Sequence, residues 1–190
     1  MSTLGIIVLV IISILLGFFI NSIIYHARHG MKLGGPAPGF FVETLEGEKI
    51  GHADWDRPPH PVLLIFISPN CNACRRMVPD LESIAEKHKN ALLDIILLGI
   101  NGSKEEFISW RQKLNVTLPI AIDSSDTVRH NYSVYSLPTI FYISAGGLVR
   151  HKHTGYKQDD DKLLEKMFKD RLKRLEEYQN SNKNSVPGTR

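Results

Sequence analysis

Val62-Leu63-Leu64-Ile65-Phe66-Ile67-Ser68-Pro69-Asn70-Cys71-Asn72-Ala73-Cys74 passes from an unbroken apolar run to the only two cysteines of the chain. The run lacks the alternation of a half-exposed strand, so it reads as a strand covered on both faces and central in its sheet. From Asn72 the periodicity becomes helical. Met77, Leu81, Ile84 and Ala85 fall on one face, and Arg76, Asp80, Ser83 and Lys87 on the other. Pro79 lies inside this helix and is expected to kink it, because it lacks an N–H and collides with the carbonyl four residues back. A thiol at a helix's first turn feels the unsatisfied backbone N–H groups and the positive end of the dipole, which favour its thiolate. Cys74 then lies one turn deeper, placed to close a disulfide with Cys71.

Three chemistries fit a bare cysteine pair. Structural zinc takes four Cys or His ligands, often as two paired clusters. No second Cys pair exists here, and His52, His60, His88 and His130 are scattered without ligand spacing. A purely structural disulfide closing so short a loop constrains the unfolded chain least. The strand-to-helix setting favours a redox-active dithiol, which needs no metal and no bound cofactor. Arg75 and Arg76 follow directly, either raising the local potential or simply solvating the helix face.

Working outward toward the amino terminus, Asp56 to Pro61 is turn material. Phe40 to Thr44 looks extended and Lys49-Ile50 returns as a short hairpin. Gly30, Gly34, Gly35, Pro36, Pro38 and Gly39 make a linker over residues 27–39. Leu4 to Ile24 is almost wholly apolar, and about twenty such residues span a bilayer core. It is longer than a signal-peptide core, has no basic segment before it and no small-x-small cleavage site after it. Residues 1–26 are therefore expected to form a retained transmembrane anchor. Arg28 and Lys32 follow the span, which by the positive-inside rule favours a cytoplasmic domain, whereas disulfide chemistry is commoner outside the cytoplasm.

Toward the carboxyl terminus, Leu92 to Ile100 is a second buried strand. Ser103-Lys104-Glu105-Glu106 is a capping-box sequence opening a helix that turns Phe107, Trp110 and Leu114 inward. Leu118 to Ile122 reads as a short strand and Ser125 to Asn131 as a short helix. Thr139 to Ile143 and Leu148 to His153, joined at Gly146-Gly147, read as an antiparallel hairpin. The acidic run Asp159-Asp160-Asp161 suits a helix start, with Leu164, Met167, Phe168, Leu172 and Leu175 in one stripe. Residues 40–178 thus form the folded domain, and 179–190, rich in Asn and Ser, a disordered tail. Alternating βα units ending in a hairpin and helix indicate a mixed central sheet with helices on both sides. The formal charge of +3 comes from interleaved basic and acidic residues and leaves no nucleic-acid footprint.

A strand, Cys-x-x-Cys at a helix start, Pro79 within the helix, and a distant Leu137-Pro138-Thr139 before the terminal hairpin together resemble the thioredoxin fold over about Pro36 to Leu175. Gly35-Pro36-Ala37-Pro38-Gly39-Phe40-Phe41, the helix from Ser103, and Ile120-Ala121-Ile122-Asp123 ahead of Tyr132 and Val134 are similar to the membrane-anchored TlpA-like branch. Ser68-Pro69-Asn70-Cys71 resembles the methylamine-utilisation MauD type. The resemblance implies a three-layer α/β/α sandwich behind one N-terminal transmembrane helix. It also implies that Pro138 is cis and lies against the Cys71 sulfur, and that Leu137 pairs with an extended substrate segment. Cys71 and Cys74 are then the catalytic residues, and Leu137 and Pro138 the substrate-binding ones. The family also implies a domain outside the cytoplasmic membrane, against the two-charge topology signal.

Departures from that pattern are specific. Asn70 stands where thioredoxins carry Trp, Ile65 where they carry a buried acid, and Met77 where TlpA-like reductases often carry Glu. Met77 cannot relay a proton to Cys74. The expected activity is thiol-disulfide exchange on protein disulfides or dithiols, with a membrane redox partner and an exported cysteine-containing client, its direction left open. A non-catalytic membrane-tethered binding or assembly module is the alternative. A peroxiredoxin-like peroxidase fits less well, because Ser68-Pro69-Asn70 does not reproduce the Thr or Ser spacing that orients a peroxide.

Overall fold

A computed structural model describes residues 3–29, 32–52, 60–157 and 159–185. The chain divides into two compact units, Met1–Lys32 and Leu33–Arg190. The described residues of the first include the helix α1 (Thr3–His29), on which Ile7, Leu9, Ile12, Leu15, Phe18 and Ile20 stand exposed. Among the described residues no helix is long and apolar enough to cross a membrane. The span expected from Leu4 to Ile24 therefore has no support from the architecture itself.

Among the described residues the second unit is built on seven strands. They are β1 (Phe40–Thr44), β2 (Lys49–His52), β3 (Val62–Ile67), β4 (Asp94–Gly99), β5 (Ile120–Ile122), β6 (Thr139–Ile143) and β7 (Val149–Thr154). Their order is β2-β1-β5-β4-β3-β6-β7. β3 and β4 are parallel, as are β4 and β5, whereas β6 runs antiparallel to β3 and β7 antiparallel to β6. Every side chain of β3 is at 0% exposure, as its unbroken apolar sequence requires. This is the thioredoxin-like α/β arrangement with a mixed sheet.

Helix α2 (Asn72–Lys87) buries Cys74, Met77, Val78, Leu81 and Ile84 and passes through Pro79 without ending. Pro79 is exposed, so the carbonyl that loses its donor lies on the solvent side of the helix. Helix α3 (Lys104–Leu114) begins with the expected capping box: Ser103 Oγ accepts from the Glu106 N–H, and the Glu106 carboxylate from the Ser103 N–H at 2.7 Å. After the short α4 (Thr127–Asn131), α5 (Asp160–Ser185) packs Leu164 and Phe168 into the core.

Several boundaries differ from the sequence reading, among them the strand read from Leu118, which starts at Ile120. The second buried strand starts at Asp94, not Leu92, because a 3₁₀ turn over Lys89–Ala91 ends with Leu92 in the left-handed region at φ 47°. The helix expected from Ser125 starts at Thr127. Helix α5 continues beyond Tyr178 to Ser185, through a stretch read as disordered tail. Most of the turn expected at Asp56 to Pro61, and the last five residues of the tail, lie outside the described residues.

Two carboxylates tie the layers together. Glu82 of α2 accepts from the Thr117 N–H at 2.6 Å, the Thr117 hydroxyl at 2.7 Å and the Leu118 N–H at 2.7 Å, fixing the approach to β5. Glu165 of α5 meets Lys87 at 2.6 Å and His88 at 3.0 Å, both at the end of α2. These contacts, Lys87 foremost, hold its carboxyl down from 4.5 to about 2. A carboxylate held lower in the folded than in the unfolded state stabilises above the unfolded value, and that contribution fades as pH falls toward the folded one. Melting temperatures measured from pH 6 downward should therefore fall more steeply for the native chain than for Glu165→Gln between about pH 4.5 and 2. Parallel curves would show that the α2–α5 contact contributes nothing to acid sensitivity.

Candidate active site

The dithiol stands where β3 ends. Cys71 is the N-cap of α2, with extended backbone (φ −93°, ψ 108°), and its sulfur accepts from the Cys74 N–H at 3.1 Å. The two cysteines form a disulfide with Cα atoms 5.2 Å apart. They differ in access: Cys74 is at 0% exposure, whereas Cys71 is half-buried. Free N–H groups at a helix start carry partial positive charge, so a thiolate released at Cys71 meets a backbone donor already aimed at it.

The loop that delivers Cys71 is held from several sides. The Cys71 N–H donates to the Ser68 carbonyl at 3.1 Å, and the buried Ser68 hydroxyl donates to the Asn101 carbonyl at 3.3 Å. Arg75 donates through Nε (3.1 Å) and Nη2 (2.8 Å) to the Pro69 carbonyl. Its guanidinium thus braces the turn before the first cysteine, a role that sequence spacing does not reveal. Beside it a groove of about 500 Å³ is bordered by Pro69, Asn70, Arg75, Trp110 and Lys113. Asn70 is exposed there, where the family pattern would put an aromatic ring.

The Leu137-Pro138 peptide is cis, as expected. The antiparallel register Phe66↔Thr139 carries Pro138 to the end of β3 from which the Cys71 loop departs. Pro138 is buried, and its carbonyl accepts from the Gly155 N–H at 2.8 Å. Leu137 packs against the same core cluster as Cys71. Among the described residues its own backbone N–H and carbonyl have no hydrogen-bond partner. Ile65 and Met77 are both at 0% exposure, so neither position carries an ionisable group near the sulfurs. The buried Tyr156 donates its hydroxyl to the exposed Asp80 at 2.7 Å, a contact that no sequence pattern signals. Burial and the Asp80 carboxylate push its phenol far up. Among the described residues no group of three or more His, Cys, Asp or Glu is placed to hold a metal ion.

A thioredoxin-like sheet with a Cys-x-x-Cys disulfide at the start of the helix after its central strand defines a thiol-disulfide oxidoreductase. The chain belongs to the AhpC/TSA family, whose family model matches residues 33–152. It is 29% identical over 164 residues to the thiol-disulfide oxidoreductase ResA of Bacillus cereus, covering 86% of this chain and 93% of that one. It is 26% identical over 155 residues to ResA of Geobacillus thermodenitrificans, covering 82% and 88%. Among solved structures, a DsbE-type thiol:disulfide interchange protein from Chlorobium tepidum superposes with TM-score 0.68 at 22% identity, over 75% of this chain and 99% of that one. StoA of Bacillus subtilis gives 0.59 at 20%, over 70% and 97%. At such identities these two structures speak to the fold alone.

Proposed function

We propose that Cys71 and Cys74 are the catalytic pair of a membrane-tethered oxidoreductase acting on disulfides or dithiols of exported proteins. One observation carries the reading: a half-buried cysteine at a helix N-cap, disulfide-bonded to a wholly buried one. In the reductive direction a partner disulfide is attacked by the Cys71 thiolate, giving a Cys71–partner mixed disulfide and one partner thiolate. Cys74 then attacks the Cys71 sulfur, restores the Cys71–Cys74 disulfide and releases the second partner thiolate, so that two electrons have moved to the partner. The oxidative direction is the reverse.

Leu137 and Pro138 are the substrate-binding residues of this reading. The unpaired backbone groups of Leu137 favour an extended client segment lying beside the sulfurs and bonding to them as a strand would. Tethering is supported by the exposed apolar side chains from Ile7 to Ile20, which an aqueous setting disfavours. An extracytoplasmic location is favoured by the chemistry, since disulfides persist in oxidising compartments, against the topology signal of Arg28 and Lys32. The likeness of Ser68-Pro69-Asn70-Cys71 to the methylamine-utilisation MauD type favours an exported dehydrogenase subunit as client, with a membrane protein as redox partner.

Cys74→Ala in the native host should accumulate mixed disulfides that migrate on non-reducing gels and collapse on reduction, with the joined protein found in the extracytoplasmic fraction by mass spectrometry. The reading fails if no adduct forms, or if the captured proteins are cytoplasmic.

A further inference from the structure

Between the outer β6–β7 hairpin and α5 lies a cavity of about 230 Å³ whose walls include Tyr142, Arg150, His151, Lys166, Arg171 and Arg174. Asp170 is the one carboxylate among its lining residues. Arg150, Lys166 and Arg174 make no side-chain hydrogen bond or ion pair among the described residues. Arg171 donates Nε to the Ala91 carbonyl at 3.2 Å and keeps the rest of its planar fork. The Nε2 atom of His151 is buried without a partner, and buried polar atoms in native proteins ordinarily have one. Tyr142 pairs across the hairpin with His151. It is 8% exposed, and burial pushes its phenol up while Arg171 and Arg174 act against that shift, so both guanidiniums bear on the same hydroxyl.

Three guanidiniums and an ammonium, offset by the one carboxylate of Asp170, line one small space beside an imidazole, and a bound anion would relieve the repulsion that remains. The donor set is two-dimensional forks, a point-charge ammonium, a phenol and an imidazole, which match an anion with several acceptor oxygens. A volume below the about 300 Å³ at which drug-sized sites begin suits a phosphate with at most a small ester substituent. We propose that this cavity is a phosphate-binding site, filled by a free phosphate ester or by the headgroup of an anionic phospholipid.

The cavity lies close to where the chain enters its second unit. The Gly34 N–H donates to the Val149 carbonyl at 2.7 Å and the Val149 N–H to the Gly35 carbonyl at 3.0 Å, so the chain joins its domain one residue before Arg150. Thr139, at the dithiol end of β6, is three residues from Tyr142, or about 10 Å along a strand. The lipid arm rests on the tethering reading above, whereas the phosphate site and the redox chemistry stand separately.

The test uses the full chain in zwitterionic detergent, with the imidazole signal of His151 followed by NMR. Inorganic phosphate should shift that signal saturably. Arg150→Gln combined with Arg174→Gln should weaken the midpoint about tenfold or more, while Lys113→Gln, which removes one positive charge outside the cavity, leaves it in place. The same signal is then read in nanodiscs of phosphatidylcholine with and without phosphatidylglycerol. A shift that needs phosphatidylglycerol and is lost in the double variant identifies the lipid headgroup as ligand. A phosphate response with equal spectra in the two nanodiscs identifies the free ester. No saturable response to either probe, or one that all three substitutions change equally, overturns the site. Disulfide-exchange rates, unchanged in the double variant, keep this outcome apart from failure of the redox reading.

Discussion

Cys71→Ser eliminates disulfide exchange, whereas Cys74→Ser stops it halfway. The expectation follows from access rather than from intrinsic reactivity. Of the two, only Cys71 keeps some exposure; Cys74 is at 0% exposure and can meet no partner disulfide without opening α2. A serine at position 71 keeps an N-cap acceptor for the Cys74 N–H, so the helix start should survive. It removes the thiolate, and a hydroxyl at neutral pH is no substitute nucleophile. Exchange with a chromogenic aromatic disulfide should fall by roughly 10³-fold or more, to background. Cys74→Ser should release one equivalent of chromogenic thiolate in a burst and then stall, its Cys71 carrying the other half of the reagent by mass spectrometry. Iodoacetamide added to the reduced native chain should alkylate Cys71 first. A Cys71→Ser protein that still turns over, or preferred labelling at Cys74, would reverse the assignment.

How far this site could be read from sequence depended on the range of the interactions. The β3 run and the switch to helical period at Asn72 were legible because burial on both faces and helix amphipathicity leave local patterns. The capping box at Ser103 and Glu106 was legible for the same reason, its partners being three residues apart. The cis Leu137-Pro138 bond came only through family resemblance, since nothing in the neighbouring residues fixes a peptide isomer. The brace from Arg75 to the Pro69 carbonyl spans six residues, but its acceptor is a backbone atom that every residue carries, so no residue type signals it. The clamp of Glu82 on Thr117 and Leu118, 35 and 36 residues away, is invisible until the sheet brings α2 beside β5. The extension of α5 to Ser185 went unread because its Asn and Ser residues have weak helix propensity, which continuing an established helix overrides.

Gly99→Ala should be the most damaging single-methyl insertion near the site. Gly99 ends β4, paired with Ile67 on one side and Ile122 on the other, so its backbone is fixed by both neighbouring strands. A methyl group there would stand 2.7 and 2.8 Å from the Cε2 and Cε1 atoms of Phe107, with the ring tip closer still. Phe107 is itself at 0% exposure and edge-on to Trp110, leaving the ring no free space to turn into. Overpacking of this kind costs about 1–3 kcal/mol, or a melting-temperature drop of roughly 2–12 °C for a domain of this size. Phe107→Leu alone should also destabilise, by opening a cavity. The two losses should not add: with the shorter side chain the new methyl has room, so Gly99→Ala in the Phe107→Leu background should cost little. Gly102 lies between Phe107 and Pro69, with positions for a methyl 3.1 and 3.0 Å from them, so the ring also backs the loop that carries Cys71. Gly99→Ala should therefore slow exchange at temperatures where the chain is still folded, and Phe107→Leu should restore part of that rate. Additive stability losses in the double variant would mean that the strand, not the ring, sets the requirement for glycine.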